Sequence, residues 1–379
     1  MKVGIFGGSF NPVHNEHILI AERAIIELGL NALYVIPTFV APHKKGEVVA
    51  SGEDRLNMLK IAFLSNDKII VSDYEIKKQG VSYTYLTIRH FKKLHEGAEL
   101  YFLMGSDMLD NFSTWKNPRE IVDNANIVLI ERRNGNYNAN KLITNFENTF
   151  KKPVTRLKVY GTTVSSTEVR LRVMLGLDTL SLILKEVANY IAKTNLYGDN
   201  PLYNRVKNAL PEKRRVHTLG VILTACSLAE KLGVDKKKAE LSALLHDLCK
   251  YSDISDFPSG TVPENAPSDV WHQYLSYYVA KNELGVTDED VLNAILYHTT
   301  GRPNMSKLEK IIYIADLLEP SRTFKGVDEL RNAISKDFNS GFLTCLIEIE
   351  DFLVKQGKPV FDLTRQAINY YKGENYELN

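Results

Sequence analysis

The chain has 379 residues, 44% hydrophobic and 25% charged, which excludes a disordered polymer and gives enough apolar mass for two domain cores. Its 47 Lys and Arg against 46 Asp and Glu leave a formal charge of +1, which excludes a polyanion-coating or membrane-coating surface. Three cysteines without a Cys-x-x-Cys pair, a start at Met1 to Gly8 with no signal-type apolar core, and no membrane-length apolar run together predict a cytoplasmic two-domain protein.

In chain order, Lys2 to Phe6 reads as a buried strand ending in Gly7-Gly8, followed by helical periodicity over Ile18 to Leu28 and a second strand over Ala32 to Pro37. Further strands are expected at Ile69 to Ser72, Leu100 to Met104, Ile127 to Ile130 and Leu157 to Tyr160, with helices such as Glu53 to Leu64 and Thr84 to Leu94 between them. This alternation predicts a parallel sheet covered on both faces, with ligands at the carboxyl ends of its strands. Helical segments over Ser165 to Leu177 and Leu182 to Thr194 close the half. The polar breaker Asn195 to Pro201 marks the boundary. Beyond it only helical patterns stand out, among them Val216 to Leu232, Ala239 to Leu248, Val291 to Tyr297 and Leu308 to Leu317, with a Pro- and Ser-rich loop over Asp256 to Pro267.

The first strand runs directly into Gly7-Gly8-Ser9-Phe10-Asn11-Pro12-Val13-His14-Asn15-Glu16-His17. Two glycines let backbone approach a phosphate, and the helix start that follows offers amide donors and a positive dipole end. His14 and His17 stand three apart, so two imidazoles can donate to phosphate oxygens as charge develops there. A zinc pair, or two surface histidines beside a tight turn, are the alternatives, and no third metal ligand lies nearby. Late in the same half, Val164-Ser165-Ser166-Thr167-Glu168-Val169-Arg170 opens a helix with hydroxyl caps and places Arg170 one turn in, suited to triphosphate.

Together these two strings resemble the nucleotidylyltransferase superfamily, whose common form is Gly-[Gly/Ser]-x-Phe-[Asp/Asn]-Pro-x-His-x-x-His with a later Ile-Ser-Ser-Thr-x-Ile-Arg type motif. Ala41-Pro42-His43-Lys44, Ser82-Tyr83-Thr84, Gly105-Ser106-Asp107-Met108 and Trp115 make residues 1–197 most similar to bacterial nicotinate-nucleotide adenylyltransferase. Phosphopantetheine adenylyltransferase is the alternative relative. The resemblance implies a Rossmann-like α/β domain that takes ATP with Mg2+ and nicotinate mononucleotide. In it, His14, His17 and Arg170 act on the phosphates, and Gly7, Gly8, Ser9, Phe10, Lys44, Arg132, Ser165, Ser166 and Thr167 help bind substrate. It further implies that Thr84 and Trp115 lie against the nicotinate ring, with Gly105 and Asp107 on the adenosine side. An aromatic face over a charged pyridinium has its physical basis in the ring quadrupole. The reaction needs no protein nucleophile, because the substrate's own phosphate attacks the α-phosphorus and the enzyme supplies alignment and charge stabilisation.

The second half carries His217, His246-Asp247, His272, His298 and Asp316, each in or beside a helical pattern. Four imidazoles and two carboxylates without thiolate suit iron or manganese, as one ion or a pair, better than structural zinc. The series His…His-Asp…His…His…Asp resembles the HD-domain phosphohydrolases. The strings Tyr297 to Ser306 and Ile311 to Asp316, followed by Glu319-Pro320-Ser321-Arg322, make residues 200–379 similar to the YqeK family of symmetrical diadenosine tetraphosphatases. That likeness implies an all-α HD domain with Asp247 as a bridging carboxylate and His217, His246, His272, His298 and Asp316 as the other ligands. Lys250 and Arg322 are then candidates for the outer phosphates, or else ordinary solvated cations. A nucleotide-sensing module without turnover, or a phosphohydrolase for another nucleotide, are the other expectations for this half. Neither nucleic acid nor membrane is an expected partner, and a homo-oligomer is compatible with the sequence.

Overall fold

A computed structural model describes residues 1–40, 50–132, 138–159 and 164–373. By its contacts the chain divides into two compact units, Met1–Val173 with Asp178–Asp199, and Asn200–Asn379 with Met174–Leu177.

The first unit is a six-stranded sheet in the order β3-β2-β1-β4-β5-β6, built from β1 (Lys2–Gly8), β2 (Ala32–Pro37), β3 (Ile69–Val71), β4 (Glu99–Met104), β5 (Asn126–Arg132) and β6 (Val154–Val159). Every pairing is parallel. β1 pairs with β2 on one side and β4 on the other, so the strand order reverses beside β1, the position at which open α/β sheets bind ligands. The central strands are apolar on both faces: Val3, Ile5, Leu33, Val35, Val128 and Leu129 are fully buried beneath the crossover helices.

The strand boundaries depart from the sequence reading in a consistent way. β1 runs on through Gly7 and Gly8, because glycine still pairs with Ile36 and Pro37 although it contributes no side chain. β6 starts at Val154, three residues early, because it is an edge strand whose Thr155 and Arg156 face solvent and break the apolar run. The helices Ser166–Met174 and Lys185–Thr194 are shorter than the apolar patterns around them.

The second unit is helical, and no described residue after Val159 is in a strand. Five helices carry or immediately precede the candidate ligands: Glu212–Leu232, Lys236–Leu245, Trp271–Tyr278, Glu289–Leu296 and Lys307–Leu318. Three more, Val327–Lys336, Phe338–Lys355 and Asp362–Gly373, pack a core of Phe342, Leu346, Ile368 and Tyr371 against Tyr313 and Leu318. The long string Tyr297 to Ser306 turns out to organise a helix start. Ser306 caps Lys307–Leu318 reciprocally with Glu309, and Arg302 forks onto the Glu309 carboxylate at 2.7 and 2.8 Å. Those contacts fix the helix that carries Asp316. Among the described residues no helix is long and apolar enough to cross a membrane.

Candidate active sites

At the carboxyl ends of β1, β4 and β5 lies a cavity of about 480 Å³, lined by Gly7, Gly8, Ser9, Phe10, His14, His17, Gly105, Asp107, Ser165, Ser166, Thr167 and Arg170. A Cβ placed on Gly7 would meet no atom of the described residues within 4 Å, so among them the space over that backbone is open for a ligand to approach. His14 is the N-cap of helix Asn15–Leu28, and its ring stacks on that of His17 with centroids 3.6 Å apart. The His14 backbone amide donates to His17 Nδ1 at 3.2 Å. An accepting Nδ1 leaves the proton of the neutral ring on Nε2, which makes His17 a donor toward the cavity it lines.

The two sequence motifs meet here across the length of the unit. Ser166 Oγ donates to the Pro12 carbonyl at 2.8 Å, and Arg170 Nη1 to the Asn11 carbonyl at 2.8 Å. Arg170 Nη2 also donates to Thr167 Oγ1 at 3.2 Å, which ties the guanidinium to the helix start that Ser165 caps. The glycine loop is held from beneath by a residue that sequence reasoning missed. Arg55 is 2% exposed and donates to the carbonyls of Ser9 (2.9 Å), Thr38 (2.6 Å) and Ala50 (3.1 Å). No motif marks it, because its partners are carbonyls rather than side chains. Asn11 Oδ1 accepts from the Tyr197 hydroxyl at 2.8 Å and the Ala50 amide at 3.0 Å. Thr84 opens helix Thr84–Leu94 and Trp115 packs on Phe112, but neither is among the described residues lining this cavity. Lys44 and the Arg132 side chain lie outside the described residues.

In the second unit all six candidate ligands converge. His217 Nε2 lies 3.0 Å from Asp316 Oδ1 and 3.8 Å from Asp247 Oδ2, and His246 Nε2 lies 3.4 Å from Asp247 Oδ2. On the other oxygen, Asp247 Oδ1 lies 3.3 Å from His272 Nε2 and 3.7 Å from His298 Nε2. One carboxylate therefore faces two nitrogen clusters, and two overlapping groups have metal-binding spacing: His217, His246, Asp316 and His246, Asp247, His298. The rings are aimed by their other nitrogens. His246 Nδ1 bonds the Ala243 carbonyl at 2.7 Å and His298 Nδ1 the Ile295 carbonyl at 2.8 Å, so each Nε2 presents its lone pair to the centre.

The charge states fit metal ligation. Burial opposes ionisation of Asp247, but His246 beside it holds its carboxyl well below the usual range, and His217 does the same for Asp316. Burial keeps His246 below its ordinary value, and burial together with His298 pushes His272 down to about 2. His217 is the exception: Asp316 and Glu319 raise it despite its burial. The buried atoms His246 Nε2 and Asp247 Oδ1 have no hydrogen-bond partner among the described residues. Polar atoms orphaned this way cost about 1–3 kcal/mol each unless something fills the site. The donor set, nitrogen and carboxylate oxygen without thiolate, fits a divalent transition metal.

Lys250 Nζ lies 3.0 Å from His272 Nε2, and Arg322 Nη2 donates to Asp316 Oδ1 at 2.7 Å, so both cations border the cluster. Two further residues around it escaped the sequence reading. Arg214, one turn before His217, donates to Asp247 Oδ2 at 2.7 Å. Glu319, 1% exposed, takes His217 Nδ1 at 3.0 Å and the Ser321 amide at 2.7 Å. Gly220 sits one turn past His217, and a Cβ there would overlap the Glu319 carboxylate. Gly220→Ala is accordingly expected to push Glu319 off His217, lowering bound metal and rear-site activity by about 10- to 100-fold. Helix propensity alone favours alanine here by about 1 kcal/mol, so a variant with undiminished metal content and a higher melting temperature would contradict the crowding argument.

Residues 5–172 match the Cytidylyltransferase-like family and residues 214–321 the HD domain family. A Mycoplasma genitalium protein called "Probable nicotinate-nucleotide adenylyltransferase/Ap4A hydrolase" is 34% identical over 326 residues, 85% of this chain and 88% of that relative. The "Bis(5'-nucleosyl)-tetraphosphatase, symmetrical" of Bacillus subtilis is 41% identical over 172 residues, covering 44% of this chain and 92% of its own length. The "Probable nicotinate-nucleotide adenylyltransferase" of Clostridium tetani is 39% identical over 199 residues, covering 52% of this chain and 98% of its own. With both constellations assembled and one relative spanning both units, the chain belongs to the family of nicotinate-nucleotide adenylyltransferase/Ap4A hydrolases.

Proposed function

We infer that the chain is a bifunctional enzyme: a nucleotidyltransferase that makes deamido-NAD from ATP and nicotinate mononucleotide, and a metal-dependent hydrolase that splits diadenosine tetraphosphate into two ADP. The observation that carries this reading is the presence of two constellations, each gathered within one compact unit. We assign residues 1–197 to transfer and residues 200–379 to hydrolysis. A cytoplasmic location suits three free cysteines and substrates of this kind.

In the front site the mononucleotide phosphate oxygen bonds to the α-phosphorus of ATP, and the bond from that phosphorus to the β-bridging oxygen breaks, releasing pyrophosphate. Gly7 leaves room for the phosphates, and Gly8, Ser9 and Phe10 line the same cavity. His14, His17 and Arg170 stabilise charge moving onto the leaving oxygens, and the Ser165-Ser166-Thr167 turn presents amides and hydroxyls. Mg2+ neutralises part of the triphosphate charge when bound. Gly105 and Asp107 take the adenosine side, and Thr84, Trp115, Lys44 and Arg132 serve the remaining substrate contacts that the family resemblance gives them.

In the rear site the hydrolase is divalent-metal-dependent, and we propose iron or manganese, as one ion or a pair; for a pair, Asp247 would be the residue that serves both. The bound metal would supply Lewis acidity toward a phosphate oxygen and an attacking water. His217, His246 and Asp316 would hold one ion, and His272 and His298 the other. Arg214 and Glu319 fix Asp247 and His217 in place, while Lys250 and Arg322 offer positive charge to outer phosphates. Water adds at one central phosphorus and the central anhydride bond breaks, so each product keeps two phosphates.

The test of the front reading is substrate choice. Purified chain with ATP and Mg2+ is expected to prefer nicotinate mononucleotide to its amide in kcat/KM. Equal or better efficiency with the amide would contradict the assignment.

A further inference from the structure

Sequence alone marks Asn195 to Pro201 as a polar breaker, yet its first part, Asn195 to Gly198, forms a built turn inside the first unit. Asn195 ends helix Lys185–Thr194 in the left-handed region, with φ 52°, and Tyr197 returns to that region with φ 65°. A left-handed tyrosine is strained, because its Cβ crowds the carbonyl that follows, and such a residue persists only where surrounding contacts hold it. Gly198 completes the turn, since a Cβ there would collide with Asn195 Oδ1. The turn sinks the Tyr197 ring to 8% exposure, and its hydroxyl donates to Asn11 Oδ1 at 2.8 Å.

Asn11 is the buried joint of the glycine loop. Carbonyls on and around it are held by residues far along the chain: Ser9 by Arg55, Asn11 by Arg170 and Pro12 by Ser166. Phe10 among them is itself left-handed, with φ 46°, so the loop keeps a conformation that its own residues do not favour. The direction of the bonds at the Asn11 side chain is fixed. The Ala50 amide can only donate, which identifies its partner as the oxygen, and the Tyr197 hydroxyl donates to the same atom. Burial pushes Tyr197 above its ordinary value despite the nearby Arg170 and Arg55, so the hydroxyl stays protonated and remains a donor.

Resting on the transferase reading, we propose that Tyr197 is a positioning residue for adenylyl transfer: its hydroxyl holds the Asn11 side chain and so fixes the Asn11 carbonyl on which the Arg170 guanidinium rests. Tyr197 is not among the described residues lining the cavity, so it is placed to act through Arg170 rather than on substrate. Two donors on one amide oxygen leave the Asn11 side chain a single orientation. With one donor gone the side chain can turn, its peptide plane turns with it, and the carbonyl under Arg170 shifts. A displacement of about 1 Å at a group that orients or stabilises a transferring phosphate is enough to lower a rate about 10²-fold.

The test uses the full chain with ATP, Mg2+ and nicotinate mononucleotide. Tyr197→Phe is expected to lower kcat at least about tenfold, with KM for either substrate within about twofold, since Arg170 is assigned to charge that develops in the transition state. Adding Tyr197→Phe to Arg170→Ala should then cost nothing further. A tyrosine that only supports the fold would slow both backgrounds by the same factor, and that result would overturn the proposal. Amide hydrogen exchange gives a readout that needs no turnover: the peptide from Gly7 to Asn15 should exchange about tenfold faster in Tyr197→Phe, while helix Gly52–Ala62 keeps the parent rate. Unchanged kcat, unchanged exchange in that peptide, or an equal rise in the helix would each overturn the role. A parent chain that makes no deamido-NAD but shows the exchange difference would contradict the transferase reading while supporting the hold of Tyr197 on the loop.

Discussion

Asp247→Ala is expected to abolish dinucleotide hydrolysis, by at least about 10³-fold or roughly 4 kcal/mol, and to strip the metal, while adenylyl transfer by the same chain survives. Its two oxygens face different nitrogen clusters, Oδ2 toward His217 and His246 and Oδ1 toward His272 and His298, so its loss removes a carboxylate oxygen from both sides of the centre. Removing it also leaves the half-buried Arg214 without its carboxylate, which costs stability as well as metal. Asp247→Asn separates the two effects: it keeps the shape and an acceptor but loses the charge, so it should fold and still lack hydrolysis. Elemental analysis and a melting curve of each variant check this. Retention of bound metal and hydrolysis in Asp247→Asn would contradict the bridging role.

His17→Ala is expected to lower adenylyl transfer about 10²- to 10³-fold, mainly in kcat, with dinucleotide hydrolysis unchanged. Its Nδ1 is committed to the His14 amide, which orients the ring and leaves Nε2 to meet oxygens that gain charge as pyrophosphate departs. A bond that strengthens in the transition state shows in turnover. Loss of ATP affinity at unchanged kcat would assign His17 to ground-state binding instead.

Much of this is legible in the sequence alone, for physical reasons that differ between the two sites. The loop from Gly7 to His17 is contiguous, so its glycines, helix start and paired imidazoles can be recognised as one device. The rear ligands are scattered over a hundred residues, and each alone reads as an ordinary helical histidine or aspartate; they are legible because together they fall on one ligand pattern, His…His-Asp…His…His…Asp. Hidden in the sequence were the residues whose role is set by a partner far along the chain. Arg55 reaches the Ser9 carbonyl across 46 positions, Glu319 reaches His217 across 102, and Tyr197 reaches Asn11 across 186. Gly220 is the clearest case. In sequence it is a poor helix residue, and only the packed carboxylate of Glu319 shows why a side chain is excluded there.

The central claim, that one chain performs two chemically separate reactions at two sites, is tested most directly by a single product analysis. Purified full-length chain, supplied with Mg2+ and Mn2+, is given ATP with nicotinate mononucleotide and, in a parallel vessel, diadenosine tetraphosphate, and both mixtures are resolved by anion-exchange chromatography. The expected products are deamido-NAD with equimolar pyrophosphate in the first vessel and ADP as the sole nucleotide product in the second. Absence of deamido-NAD, or cleavage of the dinucleotide into ATP and AMP, would contradict the account.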